Sequence, residues 1–321
     1  MRRIAIVLGV LAVALGAATM ACAAYPDRPI RLMIPFPPGG AVDVVGRLLA
    51  PELAKPFGVP VVVENKAGAG GTIATEATAK AAPDGYTLLL TAPNHTINPA
   101  LYRNLPYDTA TAFAPIALVA EVPELLVAPP SAPFDDFAGF VAYARAHPGE
   151  LNYGSAGNGT LPHVTMELLL RRLHLDVVHV AYKGAAPALA DLVAGHVQLK
   201  LDTYATSAPL IAAGRLKALA IASHARSSLL PTLPTIAESG LPGYEGVLWI
   251  GMIAPAGTPP PVIAALAAAC RTAVHSPEFR ARLAADGIDP VGSGPDAFAA
   301  LIARELPQWN ALVRDAHITV Q

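Results

Sequence analysis

The stretch PIRLMIPFPPGGAVDVVGRLLA, residues 29–50, limits what this chain can become. Ile30 to Ile34 is a short apolar run of the kind that makes a buried strand. Pro35, Pro37 and Pro38 then deny a sheet its N–H donors, and Gly39-Gly40 admits backbone geometry that other residues resist. A helical pattern follows, with Val42, Val45, Leu48 and Leu49 at three- and four-residue spacing. The first amides of a helix lack internal partners, so this strand, turn and helix start form an anion cradle. The carboxylate end of a small ligand suits it.

The unit recurs. Val59 to Glu64 reads as a second strand, which runs into Asn65-Lys66-Ala67-Gly68-Ala69-Gly70-Gly71 and an Ala-rich helix, Thr72 to Ala82. Tyr86 to Thr91 is a third strand, and Asn94-His95-Thr96 begins a polar loop. Such alternation is the pattern of a parallel α/β sheet. Pro129, Pro130 and Pro133, then Pro231 and Pro234, bracket a second block. In it, helices at 137–146, 162–173 and 185–194 alternate with strands at 151–153, 177–180, 197–201 and 216–222. A strand at 247–253 and helices at 260–273, 277–285 and 295–313 close the chain. Two α/β blocks, with the chain end rejoining the first, predict a two-lobed fold. Lobe 1 comprises 25–124 and 228–321, lobe 2 comprises 125–227, and a ligand cleft lies between them.

With 53% hydrophobic and 14% charged residues among 321, the chain can bury a large core. A net charge of −2 and the lack of any basic run argue against nucleic acid as a partner. Arg2-Arg3, the apolar run Ile4 to Ala18 and small residues through Ala24 have the order of a secretory signal peptide. Cleavage after Ala23 or Ala24 predicts a periplasmic protein. Cys22 would leave with that segment, so Cys270 is expected as a lone core thiol with no disulfide.

The second candidate loop is Gly154-Ser155-Ala156-Gly157-Asn158-Gly159-Thr160, before a helix that contains His163. Neither glycine loop has P-loop spacing. Ile73 stands where a dinucleotide fingerprint needs its third glycine, and Tyr153 spoils a nucleophile elbow around Ser155. No HExxH occurs, and the histidines show no metal-ligand spacing, so no metal or other cofactor is expected. His163 is the best functional histidine, with helix capping or packing as its other reading; His95 is a weaker case. Asp43, in the first helical turn, reads as a brace for the glycine turn, because a carboxylate aimed at an anion would repel it. Asp202 ends a strand, where it either meets a ligand or holds the cleft loop.

These residues are carried in a series of longer motifs. They are YPDRPIRLMIPFPPGGAVDVVGRLLA, VVVENKAGAGG, PDGYTLLL, NPALYRNLPYD, LNYGSAGNGTLPH, VAYKGAAPAL, KALAIAS, LPTIAESGLPGYE and WIGMIAPAGTP. Together they resemble the Bug receptors, the solute-binding proteins of tripartite tricarboxylate transporters. The resemblance implies a type II periplasmic-binding-protein-like fold, acting as a monomer. It would close on a small organic acid or acidic amino acid and deliver it to a membrane permease. Site residues implied are Pro37, Pro38, Gly39, Gly40 and Asp43 in lobe 1; Asn94 and His95, from the neighbouring polar loop, are added as candidates on their own chemistry. Lobe 2 would supply Ser155, Ala156, Gly157, Gly159, Thr160 and His163, then Tyr182, Lys183 and Gly184, and Asp202. Lys200 departs from the family, which has an apolar residue there. Strand alternation puts it on the face of Asp202, where it either pairs with the acid or charges the cleft. Two rivals stay open: a sensor feeding a signalling partner, and an exported enzyme using Ser155, His163 or Asp202.

Overall fold

The computed structural model describes residues 25–227 and 229–319; the expected signal peptide lies outside them. Strand β1 (Ile30–Ile34) leads through the Pro-Gly turn into α1 (Ala41–Phe57), and β2 (Val61–Asn65) lies parallel to β1. A tight turn opens α2 (Thr72–Ala79), followed by β3 (Thr87–Thr91) and α3 (Asn94–Leu101). The long β4 (Phe113–Ala128) then carries the chain into the second lobe. That lobe contains α4 (Phe137–Ala146), β5 (Asn152–Ser155), α5 (Leu161–Leu173), β6 (Val178–Ala181), α6 (Ala185–Ala194), β7 (Leu199–Thr203), α7 (Tyr204–Ala212) and β8 (Lys217–Ile221). The chain returns with β9 (Val247–Pro255), α8 (Pro260–Val274), α9 (Pro277–Ala285), β10 (Asp289–Ser293) and α10 (Pro295–Asp315).

The first-lobe sheet runs β2-β1-β3-β9-β4, with β10 also on β4; the second-lobe strands run outward from β4 through β7 and β5 to β6, with β8 on β4. The two-lobed α/β fold is therefore as expected, but its sheet is mixed. Strand β9 is antiparallel to both β3 and β4, and β4 is antiparallel to β7 and β8. The strands that shuttle the chain between lobes impose these reversals. Strand β4 was not legible because Pro115, Glu121, Pro123 and Glu124 interrupt its apolar run. Pro115 sits at a register shift against β9, where a missing N–H is tolerated.

Two other expectations change. Asn94 to Thr96 is the first turn of α3 and not a loop: the Ile97 amide donates to Pro93 O at 2.9 Å. The return to lobe 1 falls near Val247 and not at 228. Ile236, Leu241 and Tyr244 pack with Phe140, Tyr153 and Leu169 in the second-lobe core, and the Gly246 amide still donates to Ala222 O.

Helix α10 does rejoin lobe 1, where Phe298 and Ile302 pack on Met33 and Leu89. Its far end also reaches lobe 2, because Trp309 and Leu312 share a cluster with Ile97, Leu161 and Val164. Cys270 is fully buried in the first-lobe core.

The apolar face of α1 (Val42, Val45, Leu49, Leu53) lies on Ile34 and Leu90 and fixes where the helix start points. Gly46 makes the close approach possible, since a Cβ there would meet Ile34 Cδ1 at 2.6 Å and Leu90 Cδ2 at 3.2 Å. Gly46→Val should destabilise the protein by about 1–3 kcal/mol through overpacking. Urea unfolding measures this, and an unchanged midpoint would mean that α1 has room to lift.

Candidate functional site

A cavity of ≈ 900 Å³ opens between the lobes. Of the expected residues, Pro37, Pro38, Gly40 and Asn94 line it from lobe 1, and Ala156, Thr160, Gly184 and Asp202 from lobe 2. These positions cluster at helix starts. Gly40, Thr160, Gly184 and Thr203 are the N-caps of α1, α5, α6 and α7, and none makes a side-chain cap bond. Helices α4 and α9, which start elsewhere, are capped by Asp136 and Ser276, while α2, α3, α8 and α10 also lack a side-chain cap bond. Four helix starts from two lobes thus bring positive dipole ends and first-turn amides to one cavity, although Pro162 and Pro187 have no N–H and the His163 amide donates to Thr160 O. Apolar residues, among them Phe36, Val42, Leu161 and Leu248, form much of the remaining wall. A recess of ≈ 490 Å³ adjoins it, sharing Asn94 and Thr160 and adding Asn98, Tyr102 and Asn158.

The other expected residues brace these loops. Gly39 has φ +92°, a left-handed geometry that favours glycine, and its amide donates to Asp43 Oδ2 at 2.9 Å. The same oxygen accepts from Arg47 Nε at 2.9 Å, and Oδ1 accepts from Asn65 Nδ2 at 2.8 Å. Asp43 is desolvated, yet these bonds hold its carboxyl below the usual range. Its carboxylate thus braces the glycine turn, and it is not among the residues that line the cavity. Arg47 and Asn65 were missed, because nothing in their spacing ties them to the turn.

The second-lobe loop is held in the same way. Ser155 is fully buried; its Oγ accepts from the Gly157 amide at 3.1 Å and pairs with His179 Nε2 at 2.7 Å. Gly159 donates its amide to His163 Nδ1 at 2.9 Å, which leaves the ring proton on Nε2. The rings of His163 and His179 stack at 3.9 Å. Burial lowers both, His163 to about 3 with a further push from His179, and His179 to about 4. Ser155, Gly157 and His163 therefore shape the loop from behind rather than line the cavity, while Gly159 lines the adjoining recess. This selects the capping reading of His163.

Tyr182 and Lys183 are also off the wall: Tyr182 Oη donates to Asp191 Oδ2 at 2.7 Å, and Lys183 is exposed. His95 is a plain correction. Its ring is buried against Phe113, beside a separate first-lobe hollow that also involves Thr109, because the first turn of α3 points it away from the cleft.

Lys200 and Asp202 do share a face of β7 and form a direct ion pair, with Lys200 only 1% exposed. Glu124, on β4, completes this charged floor. It went unnoticed in the sequence because β4 itself did. An acid inside a long apolar strand was the available signal.

The model of the tripartite tricarboxylate transporter family receptor matches residues 45–318. The chain belongs to that receptor family. Protein BugT of Bordetella pertussis is 37% identical over 318 residues, covering 98% of each chain. Among solved structures, R. palustris Rpa4515 with adipate superposes with a TM-score of 0.79 at 36% identity, covering 92% of this chain and 99% of that one. MatC from Rhodopseudomonas palustris with bound malate gives 0.75 at 37%, covering 90% and 100%. The family is one of solute-binding receptors, which agrees with two lobes around a cavity of this size.

Because His163 and His179 are depressed below their unfolded value near 6.5, the unfolded state binds more protons between about pH 4 and 6.5. Their contribution to stability is present above pH 6.5 and lost as pH falls through that window. Receptor stability should thus decline on acidification from pH 6.5 to 4, and His179→Phe should flatten the decline. Denaturant titrations at fixed pH values test this, and an equal slope in the variant would remove the pair from the explanation.

Proposed function

We propose that this receptor captures a small organic carboxylate in the interlobe cleft and delivers it to the membrane permease of a tripartite tricarboxylate transporter. The convergence of four uncapped helix starts on one cavity carries the reading. Backbone amides there can meet a carboxylate's lone pairs without a strong counter-charge. The similar structures holding adipate and malate support an acid as the ligand class. Export fits the signal-peptide pattern of residues 1–24, and no described helix is long and apolar enough to cross a membrane.

A receptor is favoured over an enzyme by what the reactive groups are doing. Ser155 and His179 touch, yet the serine is fully buried and also bonded to the Gly157 backbone. His163 spends its basic nitrogen on the Gly159 amide. Neither offers a free nucleophile or base to the cavity, which general acid–base chemistry requires.

Screening an organic-acid library by thermal shift should give saturable stabilisation by at least one small carboxylate. A response confined to sugars, nucleotides or cations would exclude the function proposed. Gly40 locates the site more sharply. A Cβ at Gly40 would meet nothing within 4 Å, so Gly40→Val pushes its bulk into the cavity without disturbing the core. Calorimetry on that variant should show affinity reduced about tenfold or more, an effect near 1.4 kcal/mol, with the ligand-free melt preserved. Unaltered affinity would take this turn out of the site.

A further inference from the structure

Capture of a carboxylate by amides leaves the charged floor of the cleft without a task. Lys200 and Asp202 largely satisfy each other. Besides its contact with Asp202 Oδ1, the ammonium donates to Leu201 O at 3.1 Å. Asp202 Oδ2 accepts from Thr206 Oγ1 at 2.7 Å and from Ser207 Oγ at 2.9 Å.

Glu124 is different. It stands opposite Thr203 in the β4–β7 ladder and is 4% exposed at the cavity wall. Among the described residues its carboxyl meets only Thr165 Oγ1, at a long 3.5 Å, and that hydroxyl makes its short bond to Leu161 O at 2.7 Å. The floor therefore holds two acids and one ammonium, and the ammonium is already committed. Burial lifts Glu124 to about 8; Lys200 opposes the rise and Asp202 adds to it. Those two face it from β7, and Tyr244, whose hydroxyl donates to Thr165 O, faces it from the segment before β9.

A second ionised carboxylate on the ligand would be repelled by ionised Glu124 and could stay only beside its protonated form. A ligand ammonium would find an acceptor that lacks a partner. We propose that Glu124 selects the far end of the ligand, so that the cleft takes an amino carboxylate whose ammonium pairs with Glu124 and discriminates against dicarboxylates. The proposal rests on the carboxylate-receptor reading. On binding, the Glu124 carboxyl gives its proton to solvent and the ligand's ammonium takes its place beside the carboxylate.

The test is calorimetry on the purified protein with three series of matched carbon number: simple monocarboxylates, amino carboxylates with α- or ω-amines, and α,ω-dicarboxylates. At least one amino carboxylate should bind about tenfold or more tighter than the monocarboxylate and dicarboxylate of its length. Its affinity should rise about tenfold from pH 6 to pH 7, because the small ionised fraction of Glu124 grows as pH climbs toward its pKa while the amine stays protonated. Glu124→Gln, with its fold checked by a thermal melt, should lose both the preference and the pH dependence. If acids bind but no amino carboxylate leads its set, or if the preference or the pH dependence survives in Glu124→Gln, the inference fails and the receptor reading stands. If no acid of any series binds, the receptor reading fails with it.

Discussion

One strand holds the two lobes in relation to each other. Strand β4 has 16 residues, long enough at about 3.3 Å each to run roughly 50 Å. Phe113 to Pro123 pair with β9 in lobe 1, and Glu124 to Ala128 pair with β7 and β8 in lobe 2. The return path crosses at the same level, since Pro123 stands opposite Val247. The lobes are thus joined by a two-stranded ribbon. Such ribbons twist more readily than wide sheets, so opening and closing can concentrate there. The apolar cluster of Trp309, Leu312, Leu161 and Val164 joins the lobes a second time, and a large separation would have to expose it.

With the lobes so placed, the site is made of backbone more than of side chains. Asn94, Thr160 and Asp202 line the cavity, but other polar residues that look like ligand contacts brace the turns behind it. Asp43 ties down the Gly39 amide and, through Asn65, the end of β2. Ser155, His163 and His179 hold the Gly157 and Gly159 turns from within lobe 2. Each brace is buried and bonded, so its cost falls on folding and not on binding. A cradle held in shape this way loses little entropy when the ligand arrives.

This division of labour explains what the sequence made legible. The glycine turns and helix starts stand out because they are local: Pro37 to Gly40 and Gly154 to Thr160 announce themselves by composition. Long-range partners are silent in one chain. Nothing in the spacing of Asn65 ties it to Asp43, 22 residues away, or that of His179 to Ser155, 24 away. Strand β4 was hidden for a related reason. Its prolines and acids contradict strand propensity, and only pairing with partners more than 70 residues distant makes them acceptable. His95, read in a polar loop, and His163, read just inside a helix, were both functional candidates. Helix phase sent one to Phe113 and the other to Gly159, and phase depends on where each helix begins.

A net charge of −2 and acids in the cleft sit uneasily with the capture of an anion proposed for this receptor. The resolution lies in how those acids are compensated. An uncovered carboxylate at Asp202 would oppose a ligand carboxylate across a poorly screened space. Lys200 cancels that charge at contact distance, and the Thr206 and Ser207 hydroxyls occupy the other oxygen. A buried ion pair is sustained only when its remaining hydrogen-bonding capacity is met in this way. Once Asp202 is neutralised, the helix starts dominate the field at the cavity mouth. Glu124 is the acid left outside that arrangement, and its charge can be relieved by a proton or by a cation. The floor of the cleft is thereby neutral or in need of a positive group, while the rim favours a negative one, and a small zwitterion satisfies both ends.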